Sequence, residues 1–210
     1  GDSPSFRKEL YGQAHILLGA SSATIAGIPG GEDLLAAALE VIERFWVEAD
    51  GAGIDAFDRE FHRAEPYRGQ NANMHLAEAY LAAHEATGDE RLLERAARIA
   101  RRIAGRAADA TEGAWRLPEH FDAAWRELPD HNRDEPRHPF RPYGSQPGHW
   151  LEWSKLLLQI RGLGVRENWL LDASRHLFDG AFQDAWAGNG GFCYTVDWDG
   201  KPVVPERFFW

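Results

Sequence analysis

Apolar residues recur at helical spacing along most of the chain, and turn residues divide these stretches into pairs. The pattern predicts six helices in three pairs, over residues 11–26 and 32–46, 73–86 and 91–107, and 149–161 and 167–185. Gly88 suits the end of one helix and Asp89 the start of the next, so the two members of a pair are antiparallel neighbours.

The three predicted hairpins resemble one another, because a helix with a histidine near its start precedes a turn in each of them. Such a repeat stacks into a superhelix or closes into a ring. If the hairpins close, the starts of the inner helices converge on one mouth. We would then expect His15, His75 and His149 to share a pocket.

Two stretches depart from the helical pattern. The segment 113–148 is irregular and rich in proline, histidine and aromatic residues, and we expect it to pack as a cap beside the mouth. Residues 190–204 predict a small β-hairpin that turns at Asp199-Gly200.

Composition narrows the class of protein. The 210 residues predict a single domain over 1–210, and the net charge of −10 argues against a nucleic-acid partner. The sequence has no apolar run long enough to cross a membrane and no signal-like start, so we expect no membrane association and a cytoplasmic location. Cys193 is the only cysteine, which excludes an internal disulfide bond and a cysteine cluster for zinc.

Two motifs carry the candidate chemistry, and each places a histidine three residues before a glutamate. His75 precedes Glu78, and His149 precedes Glu152, so each pair lies on one helical face. A histidine beside a carboxylate can transfer protons near neutral pH. Asn71 or Asn73 is the predicted N-cap of the first motif, and Glu152 is predicted to orient His149 or to hold a substrate hydroxyl.

Other uses of these residues fit less well. Helical Glu-x-x-His pairs build di-iron sites, but here the order is reversed and further facing carboxylates are absent, so we expect no metal and no cofactor. A glycoside hydrolase would need two carboxylates, for which Glu119 and Asp122 are candidates. Nine tryptophans are present, and the nearest candidates for contact with a sugar ring are Trp150, Trp153 and Trp210.

Five segments, in order, resemble the N-acylglucosamine 2-epimerase superfamily and within it the mannose isomerase branch. They are Tyr11-Gly-Gln-Ala, Tyr67-Arg-Gly-Gln-Asn-Ala-Asn-Met-His-Leu-Ala-Glu-Ala, Glu119-His-Phe-Asp, Phe140-Arg-Pro-Tyr-Gly and Pro147-Gly-His-Trp-Leu-Glu-Trp. The resemblance implies an (α/α)6 barrel with its pocket at one mouth, and sugar isomerisation or epimerisation without a metal.

The resemblance also implies roles for individual residues. The catalytic residues would be His75, His149 and Glu152, and the substrate-binding residues Tyr11, Asn71 and Trp210. The family barrel has twice as many helices as the pattern predicts here. A helix with a substrate-binding arginine would precede this chain, and a segment with a third histidine would follow it. We therefore expect a mainly α, partial barrel.

The function predicted from the sequence is metal-independent aldose–ketose isomerisation of the mannose-to-fructose type, through an enediol and histidine acid–base catalysis. An N-acylglucosamine or disaccharide 2-epimerase is one alternative, and an inactive fragment or non-catalytic sugar-binding module is another. The expected partners are a monosaccharide and, to complete the ring, a second copy or a complementary half-barrel. One departure from the family is His15, which stands where an aromatic residue is expected.

Overall fold

The computed structural model of the chain describes residues 7–188 and 190–207, and this part is mainly α-helical. All six predicted helices are present, with ends that differ from the prediction by a few residues. They are α1 Leu10–Ile25, α2 Gly31–Glu43, α3 Gln70–Thr87, α4 Glu90–Ala104, α5 Pro147–Gly162 and α6 Trp169–Ala185. A short 3-10 helix, Gly105–Ala108, takes the place of the predicted last turn of α4.

The strands are short, and the predicted hairpin is confirmed in β7 and β8. Asp197 N–H donates to the Lys201 carbonyl over 2.8 Å at the turn, and Gly200 there has a φ of +81°, which favours glycine. The strands are β1 Lys8–Glu9, β2 Trp46–Val47, β3 Ala52–Gly53, β4 Ala56–Phe57, β5 Tyr67–Gly69, β6 His120–Asp122, β7 Cys193–Val196 and β8 Pro202–Arg207.

The described residues form two compact units. The first comprises residues 7–99 with 122–125, and α1 packs in it against both α2 and α3. Leu10, Ala14 and Leu17 on one face of α1 are fully buried, as are Leu76 and Tyr80 of α3. This spacing of three and four residues is the apolar stripe that predicted the helices.

The second unit comprises residues 100–121, 126–188 and 190–207. Its centre is the α5–α6 pair, against which the 3-10 helix and β7 pack. Trp150 and Trp153 of α5 are fully buried there, and the Trp150 indole N–H donates to Ser145 Oγ over 2.8 Å. The expectation that these two tryptophans contact a sugar is therefore wrong, because both rings fill the core.

The predicted irregular segment is irregular as far as Gln146, since α5 begins at Pro147. Its only regular element is β6, yet Leu117, Glu119 and Ser145 within it are buried. Ser145 Oγ donates to the Leu117 carbonyl over 2.6 Å, which joins the two ends of the segment. Among the described helices, none combines the length and apolarity needed to cross a bilayer.

Candidate active site

The first unit positions His75 by fixing the start of α3. The N-cap is Gly69, in extended conformation, so Asn71 and Asn73 both lie inside the helix and the predicted asparagine cap is wrong. The Asn73 side chain instead accepts a hydrogen bond from Gly53 N–H over 2.7 Å and donates to the carbonyls of Gly53 and Gly69, each over 3.1 Å. Asn73 thus ties the first turn of α3 to β3.

His75 lies in the second turn of α3, and its nearest charged partner is the one predicted. Nδ1 of His75 is 3.3 Å from Oε2 of Glu78, and the two side chains are 18% and 26% exposed. Because a carboxylate accepts hydrogen bonds, this contact favours the tautomer with the proton on Nδ1. The prediction that the two residues share one helical face is confirmed.

Two rings contact His75, and together the three side chains form what we call the ring cluster, Tyr11, His15 and His75. The His15 ring centroid is 4.5 Å from that of Tyr11 and 4.6 Å from that of His75. Tyr11 also meets His75 edge-on, with centroids 5.3 Å apart. The predicted sugar-binding residue Tyr11 is 45% exposed, and Asn71, in the first turn of α3, is half-buried.

The second unit holds His149 in the first turn of α5, and its partner comes from the irregular segment. Nδ1 of His149 lies 2.8 Å from Oε2 of Glu119, and both side chains are almost completely buried. Glu119 also accepts hydrogen bonds from the backbone N–H and the side-chain amide of Gln146, over 3.0 and 3.1 Å. Glu119 is therefore fixed from two directions and orients the imidazole.

Burial penalises a charge on either member of this pair, but their mutual attraction outweighs that effect. The charge and hydrogen bond of Glu119 raise the pKa of His149 above its ordinary value, against the effect of burial. The same contact with His149, together with the Gln146 N–H, holds the pKa of Glu119 below its ordinary value. Both shifts favour the charged form of each group, an imidazolium beside a carboxylate.

Glu152 was predicted from the sequence to orient His149 or to hold a substrate hydroxyl, and the first of these contacts is made by another residue. It lies half-buried one turn after His149, and its charge makes a smaller contribution to the raised pKa of His149. The contact on Nδ1 belongs to Glu119, which the sequence suggested only as a glycoside hydrolase carboxylate. The motif Glu119-His-Phe-Asp was the signal available for it, but nothing in that motif identifies His149 as the partner.

No sequence motif identified two neighbours of Glu119, His120 and Tyr194, as part of the site. His120 is buried and donates from Nε2 to the Pro142 carbonyl over 2.8 Å, and burial lowers the pKa of its imidazole to about 4. Burial and the charge of Glu119 raise the pKa of Tyr194, on β7. His120 is therefore a neutral structural donor at neutral pH, and Tyr194 keeps its phenolic proton beside the pair.

The last predicted site residue, Trp210, lies outside the described residues. Within residues 7–188 and 190–207, no group of three or more histidine, cysteine, aspartate or glutamate side chains is arranged to hold a metal ion.

The sequence matches the N-acylglucosamine 2-epimerase family over residues 2–210. It is 48% identical over 208 residues to the D-mannose isomerase of Thermobifida fusca, covering 97% of this chain and 51% of that protein. It is 41% identical to the D-mannose isomerase of Pseudomonas cannabina pv. alisalensis, covering 97% of this chain and 50% of that protein. The chain thus spans about half the length of these curated relatives.

Solved structures agree with this assignment. A crystal structure of D-mannose isomerase superposes with a TM-score of 0.89 at 35% identity, over 97% of this chain and 52% of that one. Cellobiose 2-epimerase from Bacillus thermoamylovorans B4167 superposes with a TM-score of 0.76 at 17% identity, over 94% of this chain and 52% of that one, which is a likeness of fold alone. The predicted fold class, a mainly α part of an (α/α)6 barrel, is confirmed. The chain belongs to the N-acylglucosamine 2-epimerase family.

Proposed function

We propose that this chain carries acid–base residues of a metal-independent sugar isomerase that interconverts mannose and fructose. The family assignment and the identity to D-mannose isomerases support the reaction class. The observation that carries the proposal is the Glu119–His149 pair, in which a buried carboxylate holds one nitrogen of an imidazole. Because Nδ1 is committed to Glu119, Nε2 is the nitrogen through which His149 would exchange a proton with substrate.

In the proposed reaction, the protonated His149 gives its Nε2 proton to the ring oxygen of the pyranose while water takes the O1 proton, so the C1–O5 bond breaks and the C1 aldehyde forms. A histidine base then removes the C2 proton of the open aldose, and O1 gains a proton from water, which gives the C1–C2 enediol. Return of the C2 proton to C1 and loss of the O2 proton to water reduce C1 and oxidise C2 to the ketone, which gives the ketose. In the second unit, Glu152 would hold a substrate hydroxyl, and the roles that the family resemblance implies for His75 and Asn71 in the first unit stay predictions.

A 2-epimerase would use the same enediol but return the proton to C2 on the opposite face. The two reactions differ in product, since mannose gives fructose in one and glucose in the other. The identity to D-mannose isomerases favours the isomerase for this chain. The remaining predictions, a single domain over 1–210 and a second copy or complementary half-barrel as partner, stay part of the proposal.

The test is incubation of the chain with D-mannose in deuterated water, followed by proton NMR. We expect loss of the C2 proton signal and growth of fructose, both abolished by His149→Ala. The second candidate is the alternative predicted from the sequence, a non-catalytic sugar-binding module. Measurable binding of mannose without exchange at C2 would establish that second function and contradict the first.

A further inference from the structure

His15 has no role in the function proposed above, yet its ring contacts those of both Tyr11 and His75. The two ring contacts have interplanar angles of 43° and 50°, so the His15 ring is tilted against both neighbours. All three side chains belong to the first unit, and His15 itself is exposed. A substrate that contacts Tyr11 and His75 would therefore meet His15 as well.

The hydrogen bond of His15 determines which of its nitrogens can take part in binding. Nδ1 lies 2.9 Å from the carbonyl oxygen of Tyr11, one helical turn earlier. A carbonyl only accepts, so Nδ1 carries the proton and donates it, and the lone pair of the neutral ring is on Nε2. Within the described part of the chain, Nε2 of His15 makes no hydrogen bond.

His75 has the same arrangement, because its Nδ1 is beside Glu78 Oε2. The cluster therefore presents two imidazoles whose Nε2 atoms are both suited to accept a hydroxyl proton. Adjacent hydroxyl groups on a sugar ring are close enough together for two rings in contact to bind them. A phenyl ring at position 15 would keep the contact with Tyr11 and His75 but could accept no hydrogen bond.

We propose that His15 is a substrate-binding residue, which accepts a hydrogen bond at Nε2 from a sugar hydroxyl next to the one bound by His75. The inference rests on the proposed sugar substrate and deepens it, because it assigns a hydroxyl-specific contact to a residue that the family resemblance does not include. It adds no chemical step, since the hydrogen bond orients the sugar without breaking a bond.

The test compares the binding of D-mannose and its monodeoxy analogues to the full chain by titration calorimetry. The variants are His15→Phe, which keeps a ring, and His15→Gln, which restores an acceptor. His62→Phe is the matched control, since it makes the same change at an exposed histidine of the first unit. We expect His15→Phe to bind mannose about five- to tenfold more weakly, as loss of one neutral hydrogen bond requires. His15→Gln should recover part of this loss, and His62→Phe should bind as the wild type does.

The analogues separate a hydroxyl contact from a packing effect. One monodeoxy sugar should bind the wild type more weakly by the same factor, and His15→Phe should bind that sugar and mannose equally well. The inference is overturned if wild type and His15→Phe bind mannose equally well, or if the two proteins have the same relative affinities for the monodeoxy sugars. Either result leaves the isomerase proposal standing. Sugar binding with the expected pattern but without exchange at C2 overturns only the isomerase proposal. If the wild type binds none of these sugars, both fall.

Discussion

Oε2 of Glu119 lies 2.8 Å from Nδ1 of His149, although the two residues are 30 positions apart in the sequence. The carboxylate fixes both the tautomer and the orientation of the ring, as carboxylates that accept a hydrogen bond from a histidine do in other proteins. The local motif around His149 suggested Glu152 for this role. Substitution of the glutamate therefore tests whether Glu119, rather than Glu152, orients His149.

Glu119→Gln should lower kcat by about 100-fold, because the neutral amide no longer stabilises the imidazolium form of His149. The measurement is mannose turnover at saturating substrate. Glu135→Gln is the matched control, since it removes the same charge from an exposed position in the same unit, and its activity should equal that of the wild type. A Glu119→Gln enzyme with full turnover would remove Glu119 from the mechanism.

The Glu119–His149 pair should stabilise the fold most between pH 4.5 and 6.5, the ordinary pKa values of the two groups. The raised pKa of His149 gives stability that is complete below about 6.5 and is lost as the pH rises through the folded value. The lowered pKa of Glu119 gives stability that is present above about 4.5 and is lost as the pH falls through the folded value. Urea unfolding of the wild type and of the Glu119→Gln, His149→Asn double variant should differ most near the middle of this window.

His120 should have the opposite pH dependence to His149. Its pKa of about 4 in the fold lies below the ordinary value of 6.5, so the unfolded chain binds a proton more readily than the folded one does. Stability should therefore fall as the pH drops from 6.5 towards 4, by up to about 3 kcal/mol. His120→Gln, which can still donate to the Pro142 carbonyl, should lose less stability over that range. Parallel urea curves for the two proteins would contradict the assignment.

Asn73→Ala should lower the free energy of unfolding by about 2–3 kcal/mol, because it leaves the N–H and carbonyl of Gly53 without their side-chain partner in a buried place. Urea unfolding followed by circular dichroism measures the change. Ser22→Ala is the control, since Ser22 is an exposed helical residue whose hydroxyl bonds only to the Leu18 carbonyl. Its effect should stay within about 0.5 kcal/mol.

The sequence predicted the contacts that are local and missed those that cross the chain. The six helices follow from apolar spacing, and Glu78 was identified because it lies three residues from His75 on the same helix. Asn73 has the residue type of an N-cap and stands at the predicted start of its helix, but it lies inside the observed helix and bonds to Gly53 on a distant strand, which no local rule indicates. Glu119 pairs with His149 only because the irregular segment returns to α5, and irregular segments carry no periodicity from which such a path can be inferred.

The contrast in exposure between the residues of the two units has an evolutionary consequence. Tyr11 and His15 are exposed, so their replacement removes little packing, whereas Glu119 and His149 are buried and bonded to each other. Substitutions at Tyr11 and His15 can therefore accumulate through many intermediates that still fold. A change to Glu119 or His149 would have to pass through a destabilised protein, so inherited substitutions should be found at the exposed pair rather than at the buried one.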